Sequence, residues 1–136
     1  MIYRKIFLDR SSSEFNHCQI YNQRKVNQWI KKNNLSSCKP EKLTLEKQIY
    51  LFNNASIILG AHGAAFTNII FCKPGTKIIE IIPANHPNRK CERISKILGL
   101  KYFRIVTKPD NTNKNFPFRI HLEKKHFKMI DKTINL

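Results

Sequence analysis

The sequence predicts an α/β fold in which a parallel β-sheet is covered by helices on both faces. Short apolar segments alternate along the chain with amphipathic segments of helical period, which is the pattern of strand–helix–strand units. Two of the apolar segments, Ser56–Gly60 and Thr76–Ile82, are almost continuously apolar, as strands buried on both faces are. With 136 residues, of which 41% are hydrophobic, we expect one core and no second full domain.

The first part of the chain is predicted to contain a strand, a loop, a helix and a second strand. Val26, Trp29 and Ile30 fall at positions i, i+3 and i+4 and mark one face of a helix. In order, the predicted elements are the strand Arg4–Asp9, the polar loop Ser11–Asn16, a helix from Asn22 to Asn33-Asn34, and a weak strand Ser36–Cys38 closed by Pro40.

A second helix is predicted to follow Thr44. Thr44 is a good N-cap residue, and Glu46 lies in the first turn, where a negative charge interacts favourably with the helix dipole. Leu45, Ile49 and Phe52 have helical spacing and are expected to form the apolar face of this helix.

The second half of the chain continues the alternation of strands and helices around Thr76–Ile82. Pro87 is suited to open a helix, and Gly99 is suited to end it as the C′ residue. In order, the predicted elements are a short helix Ala64–Cys72, a turn Lys73–Gly75, a helix opened by Pro87 with Cys91, Ile94 and Leu98 on one face, a strand Tyr102–Val106, a polar loop Lys108–Pro117, and a final amphipathic helix marked by Phe127, Ile130 and Ile134.

The charge of the chain is strongly positive. Lys and Arg number 25 against 9 Asp and Glu, which gives a net charge of +16 and a pI near 10.0. Such a charge points to an anionic partner, either nucleic acid, a phosphorylated ligand or an acidic membrane surface. Part of it is discounted, because the composition is rich in Lys, Asn and Ile together, as AT-rich coding often produces.

Cysteine usage and the chain start predict a cytoplasmic protein, and association with the inner face of a membrane is left open. The chain start lacks the apolar core of a signal peptide. The apolar stretch Ala55–Cys72 is broken by polar and glycine residues, so no transmembrane segment is predicted. The four cysteines form no Cys-x-x-Cys pair and are read as reduced thiols rather than zinc ligands; they are Cys18, Cys38, Cys72 and Cys91.

Ligands of parallel α/β sheets bind at the carboxyl ends of the strands, near the point where the strand order reverses. The loops that follow the predicted strands are therefore the places to look for chemistry. They contain Arg10, Ala61–Ala65, Pro83–Asn88 and Lys108–Asn111.

The segment Gly60-Ala61-His62-Gly63-Ala64-Ala65 carries the clearest signal. It joins a predicted buried strand to a predicted helix, and its small residues allow close approach of a ligand to the backbone. Free N–H groups at the helix start suit a phosphate, to which His62 could donate a hydrogen bond. The alternative is tight packing of strand on helix, with His62 as a satisfied turn residue.

Three further residues are candidates by position. Glu80 lies among isoleucines, so its carboxylate must be paired, hydrogen-bonded or at the ligand-facing end of its strand. It either accepts a hydrogen bond from a ribose or sugar hydroxyl, or is a core carboxylate neutralised by Lys or Arg. Arg10 ends the first strand and could grip a phosphate bidentately, or be a solvated surface arginine. His86 could reach the same cleft, or be an exposed loop histidine.

These features, in this order, resemble glycosyltransferase family 61, over roughly residues 4 to 106. The resemblance is most specific along Gly60–Phe71 and Pro74–Glu80, where the family has Gly-x-His-Gly-Ala, an Asn and Phe, a Pro-Gly turn and an apolar strand with Glu. The supporting matches are Ile6–Arg10, Asn22, Gln48 and Leu98–Tyr102.

The resemblance implies an inverting, nucleotide-sugar-dependent transferase of the two-lobed GT-B fold. This chain resembles only the C-terminal, Rossmann-like donor-binding lobe, which we place at residues 1–107, with the loop and helix of residues 108–136 packing on it. A separate N-terminal lobe is the expected partner, with a glycan or other hydroxyl acceptor. The resemblance also implies no cofactor and no metal, because an Asp-x-Asp motif is missing, and a role in polysaccharide or capsule biosynthesis.

Site roles follow from the same resemblance. His62 and Arg10 are expected to neutralise the departing diphosphate. The general base is expected from elsewhere. The remaining donor-binding candidates are Gly60, Gly63, Ala64, Asn68, Glu80 and Asn22.

Two other functions stay open. One is a truncated remnant or partner-binding module without catalytic activity. The other is a basic nucleic-acid-binding protein, with Trp29, Tyr102 and Phe103 for stacking; the sequence argues against it, because its basic residues are spread over every helix and no nucleic-acid motif is visible. The basic residues concerned are Lys31-Lys32, Arg89-Lys90, Lys101, Arg104, Lys124-Lys125 and Lys128.

Overall fold

A computed structural model describes residues 4–11, 17–110, 112, 114–115 and 117–136. Its centre is a five-stranded parallel sheet with the order β2-β1-β3-β4-β5. The parallel α/β prediction is confirmed, and each predicted strand is present with ends that differ by at most one residue. The strands are β1 Lys5–Leu8, β2 Ser36–Cys38, β3 Ile57–Ala61, β4 Lys77–Pro83 and β5 Lys101–Thr107.

Within the described ranges, four α-helices and two 3-10 helices connect and follow the strands. Thr44 caps the second α-helix as predicted, because its hydroxyl accepts from the Lys47 N–H at 3.3 Å. Gly99 ends the third with a φ of 70°, which glycine adopts without strain. The helices are α1 Gln23–Lys32, α2 Leu45–Asn54, α3 Lys90–Leu98 and α4 Lys124–Ile134, with 3-10 helices at Pro40–Lys42 and Ala64–Phe71.

The predicted short helix after β3 is present as a 3-10 helix, Ala64–Phe71. The start of the next helix needs correction. Helix α3 begins at Lys90 and not at Pro87. The side chain of Asn88 accepts from the Lys90 N–H at 2.9 Å, so the residues after Pro87 form an Asx turn before the helix begins.

Helices cover both faces of the sheet, as predicted. Odd-numbered residues of the central strands, such as Leu59 and Ile79, pack with α1 and α4. Even-numbered residues, such as Ile58 and Ile78, pack with α2, α3 and the Ala64–Phe71 helix. This alternation is the period-two pattern of a strand, and it places Glu80 on the second face.

The predicted apolar face of α2 is only partly buried. Phe52 is fully buried, but Leu45 is 63% exposed and Ile49 is 38% exposed. Only the carboxyl end of this helix packs closely on the sheet, which the helical spacing of the three residues could not reveal.

The strand order reverses between β1 and β3, because the chain moves from β1 to one neighbour and then returns to the other side. The loops that follow β1 and β3 therefore leave the sheet at its topological switch point, where ligands of open α/β sheets bind. Arg10 lies in the first of these loops and His62 in the second.

The sequence did not predict a main-chain pairing between two segments that are distant along the chain. Ile20 forms an isolated parallel bridge with Ile120, and the Cys18 N–H donates to the Pro117 carbonyl at 3.1 Å. The pairing holds the residues before α1 against the residues before α4. Most of the predicted loop Ser11–Asn16 and parts of the predicted loop Lys108–Pro117 lie outside the described residues. Among the described helices, none has the length and apolar character to cross a membrane.

Candidate active site

The centre of the site is a short hydrogen bond between His62 and Glu80. His62 follows β3, and its main-chain N–H donates to the Ile81 carbonyl at 2.8 Å, which extends the ladder to β4 and fixes the imidazole beside that strand. His62 Nδ1 lies 2.6 Å from Glu80 Oε2. With Glu80 ionised, Nδ1 carries the proton and the carboxylate accepts, so the second ring nitrogen, Nε2, keeps its lone pair.

Glu80 is 1% exposed, and its charge is balanced by surrounding side chains. The Tyr102 hydroxyl donates to Oε1 at 2.5 Å, and the Arg104 guanidinium lies 3.7 Å from the same oxygen. Burial alone would raise the pKa of Glu80, but hydrogen bonds from His62, Tyr102 and Cys91 together lower it below its ordinary value. Glu80 is therefore a buried carboxylate that stays ionised, which supports the paired-core reading of this residue.

Strand register brings these residues together. Gly60, Glu80 and Arg104 are directly opposite one another on β3, β4 and β5. The Arg104 guanidinium also donates to the carbonyls of Asn88, at 3.1 Å, and His86, at 3.3 Å. Arg104 thus ties the loop after β4 to the carboxylate in the sheet.

Gly60 and Gly63 each lack a side chain for a different structural reason. A Cβ on Gly60 would lie 3.0 Å from Leu8 Cβ and 3.1 Å from the Leu8 carbonyl oxygen, so β1 and β3 approach too closely there for a side chain. A Cβ on Gly63 would overlap the guanidinium of Arg10. The absence of a side chain at Gly63 therefore leaves the space that the Arg10 guanidinium occupies.

Arg10 lies next to the motif, as expected for a residue at the end of β1. Its guanidinium donates to the main-chain carbonyl of His62 and also bonds the thiol of Cys18. Gln19 Nε2 donates to the main-chain carbonyl of Arg10 at 2.8 Å. Burial lowers the pKa of Arg10 below its ordinary value. Within the described part of the chain it has no carboxylate ion pair, so this half-buried cation favours an anion.

Two further histidines complete the cluster, one of which the sequence did not single out. The ring centroids of His62 and His86 are 4.5 Å apart, and those of His17 and His86 are 5.1 Å apart. Phe118 packs on both His17 and His86. His17 and Phe118 belong to the two segments that the Ile20–Ile120 bridge joins. No local sequence pattern predicted that these two segments pair.

The environment keeps the added histidines neutral. Burial, together with the nearby His62 and His17, lowers the pKa of His86 to about 4. Burial and the charge of Arg10 lower the pKa of His17. At neutral pH these rings are therefore available as neutral donors and acceptors rather than as cations.

Asn22 and Asn68 have partners elsewhere in the fold. Both polar atoms of the Asn22 amide bond the main chain of Leu122, at 2.8 and 3.1 Å, and join α1 to the segment before α4. Asn68 Nδ2 donates to Gln48 Oε1 at 2.8 Å, and Gln48 in turn donates to the Leu43 carbonyl. These contacts anchor α2 and the 3-10 helix, whereas Gly60, Gly63 and Ala64 remain beside His62.

Residues with metal-binding side chains form two groups in the described parts of the chain. One group is His17, Cys18 and His86, and the other is His62, Glu80 and Cys91; within each group the ligand atoms lie within 4.8 Å of one another. In the second group both oxygens of Glu80 are already engaged, one by His62 and the other by Tyr102.

Comparison with known proteins gives a family match over the part of the chain that contains Arg10 and His62. The family model described as Glycosyltransferase 61 matches residues 2–79, which is more than half of the chain. A β-1,2-xylosyltransferase of Arabidopsis thaliana is 38% identical over 60 residues, which are 44% of this chain and 11% of that protein. The β-1,2-xylosyltransferase RCN11 of Oryza sativa subsp. japonica is 32% identical over 63 residues, 46% of this chain and 12% of that protein.

A third relative is named xylan glycosyltransferase MUCI21, from Arabidopsis thaliana. It is 41% identical over 46 residues, 33% of this chain and 9% of that protein. The matched part thus spans about a tenth of the length of each of these relatives. The family match over more than half of the chain, with His62, Gly63 and Arg10 at the switch point of a parallel sheet, shows that this chain belongs to glycosyltransferase family 61.

Proposed function

We propose that this chain is the donor-binding half of an inverting, nucleotide-sugar-dependent glycosyltransferase. The observation that carries the proposal is the half-buried Arg10 guanidinium, which lies across Gly63 beside the His62–Glu80 pair and has no carboxylate partner among the described residues. A fixed cation at the switch point of a parallel sheet is suited to the diphosphate of a sugar nucleotide.

The diphosphate would lie at the start of the Ala64–Phe71 helix. The first N–H groups of a helix have no partner within that helix and can donate to phosphate oxygens. Arg10 supplies the positive charge at the same place, and the small side chain of Ala64 leaves the backbone accessible. In an inverting transfer, the leaving diphosphate takes the electron pair of the broken bond, and these groups stabilise its charge.

His62 acts at the phosphate, and Glu80 positions it. Both oxygens of Glu80 are engaged by protein groups. Glu80 therefore accepts the hydrogen bond from His62 Nδ1 and does not bind a hydroxyl group of the sugar nucleotide. The Nε2 of His62 is then the ring nitrogen left to interact with a phosphate oxygen. The acceptor hydroxyl attacks the anomeric carbon from the opposite side, and its proton passes to a base in a separate N-terminal lobe.

The names of the relatives suggest which donor to test first. Two are xylosyltransferases and one is a xylan glycosyltransferase, so a xylose-carrying sugar nucleotide is the first sugar donor to try. We place the reaction in polysaccharide biosynthesis, with a glycan or other hydroxyl acceptor, in the cytoplasm.

The test is calorimetric titration of the purified chain with UDP, GDP and CMP in the presence of a chelator. We expect saturable binding of one nucleotide, weakened about tenfold or more by Arg10→Ala and by His62→Ala, because each removes a charge-assisted contact. Arg24→Ala and His121→Ala are the matched controls; Arg24 is exposed on α1, and His121 packs on Tyr21 rather than on His62. Both should bind like the wild type.

Two results would overturn the proposal. One is a folded chain that binds none of the three nucleotides, which would favour the inactive remnant. The other is equal weakening by Arg10→Ala and Arg24→Ala, which would indicate non-specific attraction to a basic chain and favour nucleic acid as the partner.

A further inference from the structure

We propose that His17, Cys18 and His86 form a binding site for a transition-metal ion of the zinc class. Their ligand atoms lie within 4.8 Å of one another. The sequence places two of these residues before α1 and the third after β4, so the cluster exists only because of the fold. The inference stands on this geometry and does not depend on the proposed function.

The backbone at Cys18 supports a dedicated arrangement. Cys18 has a φ of 55°, a left-handed conformation that is uncommon for residues other than glycine. In an extended segment, neighbouring side chains point in opposite directions. The left-handed turn instead allows His17 and Cys18 to offer ligand atoms to one point, which His86 also reaches.

The donor set fits zinc. Imidazole nitrogen and thiolate sulfur are the ligands that zinc prefers, and three protein ligands leave the fourth tetrahedral position for water or a substrate group. Zinc bonds of about 2.0–2.3 Å in a tetrahedral site place ligand atoms roughly 3.5 Å from each other. The ligand atoms of the three side chains, which lie within 4.8 Å of one another, therefore need to approach by at most about 1.5 Å.

Surrounding groups are compatible with a metal. The ring centroids of His17 and His86 lie 5.1 Å apart, and Phe118 packs on both rings. The Arg10 guanidinium is hydrogen-bonded to the sulfur of Cys18, and an N–H donor to a ligating sulfur is a common outer contact of a metal site. The Asn88 N–H donates to His86 Nδ1 at 3.2 Å. A metal bound at Nδ1 would take the place of this long hydrogen bond. A metal bound at Nε2 would leave the ring proton on Nδ1, which then could no longer accept from Asn88.

The experiment is titration of the chelator-treated, full chain with Co²⁺ and with Zn²⁺. We expect one ion per chain and, for Co²⁺, visible d–d absorption of a tetrahedral site together with thiolate-to-cobalt charge transfer. Cys18→Ser should abolish the charge-transfer band, and His86→Ala should weaken binding at least tenfold. Cys38→Ser and His121→Ala are matched controls that should change neither result, because both residues lie outside the cluster.

Cys18 is fully buried, so its replacement could disturb folding. His17→Ala is the second variant, because His17 is only half-buried and its loss should weaken Zn²⁺ binding at least tenfold in a chain with unchanged circular dichroism. The absence of saturable binding, a Co²⁺ spectrum without thiolate charge transfer, or equal affinity in His17→Ala and His121→Ala would each overturn the proposal. The nucleotide titration is made with a chelator, so its success or failure is independent of this result.

Discussion

Strand β4 carries one charged residue at its start, Lys77, and another at its middle, Glu80, and the two have different partners. The ammonium group of Lys77 donates to the carbonyls of Thr133, Ile134 and Leu136, at 3.1, 3.0 and 2.6 Å, where α4 ends. Glu80 instead accepts from the side chains of His62 and Tyr102.

The same contrast holds for the neighbouring polar residues at each edge. At the amino ends of the strands, the Ser56 hydroxyl bonds the Arg4 carbonyl and the Thr76 hydroxyl bonds the carbonyls of Ala55 and Lys73. Polar groups there complete main-chain hydrogen bonding and close the fold. At the carboxyl ends, ionisable side chains bond one another, so their protonation states are coupled and are available to a ligand.

Glu80→Ala should have the largest effect on stability. It removes the acceptor of three buried donors and the counter-charge of Arg104, so the free energy of unfolding should fall by about 3–5 kcal/mol. Urea denaturation measures the change. Glu46→Ala, which removes an exposed carboxylate from the first turn of α2, is the control and should cost less than about 1 kcal/mol. A loss below that value for Glu80→Ala would show that the cluster contributes nothing to folding.

The same residue gives a pH prediction. The pKa of Glu80 is lower in the folded chain than its ordinary value of 4.5, because of the hydrogen bonds from His62, Tyr102 and Cys91. Its contribution to stability is therefore complete above pH 4.5 and is lost as the pH falls through the folded pKa. The difference in unfolding free energy between wild type and Glu80→Gln should shrink over that range, and a constant difference would contradict the assignment.

Gly60→Ala should be the next most damaging change. Its Cβ would meet the Leu8 side chain and main chain at 3.0 and 3.1 Å, and backbone cannot move aside as a flexible side chain can. We expect a loss of about 1–3 kcal/mol, the usual cost of overpacking. A thermal melt with an unchanged midpoint would show that β1 and β3 can separate without cost.

Lys77→Met should cost about 1–2 kcal/mol, because it removes a cation and its hydrogen bonds from the end of α4. Hydrogen exchange should show faster exchange in the last turn of α4. Nucleotide binding should stay at the wild-type level, since Lys77 lies at the other edge of the sheet. A loss of binding without loss of stability would contradict the division between the two edges.

Gly63→Ala should have the smallest effect on stability, below about 1 kcal/mol, because only the mobile end of Arg10 has to move. Displacing that guanidinium should nevertheless lower nucleotide affinity about tenfold. The pair of glycine variants therefore separates packing from binding within one motif. An unchanged nucleotide affinity in Gly63→Ala would show that binding does not depend on the position of the Arg10 guanidinium across Gly63.

Much of the fold could be predicted from local sequence. The continuous apolar runs of β3 and β4 exist because strands covered on both faces need apolar residues at every position. The start of α2 was predictable because a cap is a contact between near neighbours, Thr44 and Lys47. Exposure of Leu45 was not predictable, because it depends on how far the sheet extends beneath the helix.

The candidate site was predictable in its parts and not in its assembly. His62 and Arg10 could be named because they follow strands, and parallel strands end at a common edge. Glu80 could be named because it is a carboxylate within an otherwise apolar strand. The partners of Glu80 depend on the register of β4 with β5, which aligns Glu80 with Arg104. The functions of Asn22 and Asn68 as anchors depend on contacts 100 and 20 residues away along the chain, which a local motif does not contain.

The sequence by itself determined the alternation of strands and helices, the two buried central strands, the loop residues that carry chemistry and the resemblance to glycosyltransferase family 61. These are properties of near neighbours, whose spacing and polarity act within a few residues. Only the tertiary structure decided that His17 and Cys18 lie beside His86, that Arg10 crosses Gly63, and that Glu80 holds His62. Strand order and register set these distances, and both result from burying the whole core at once rather than from any short segment.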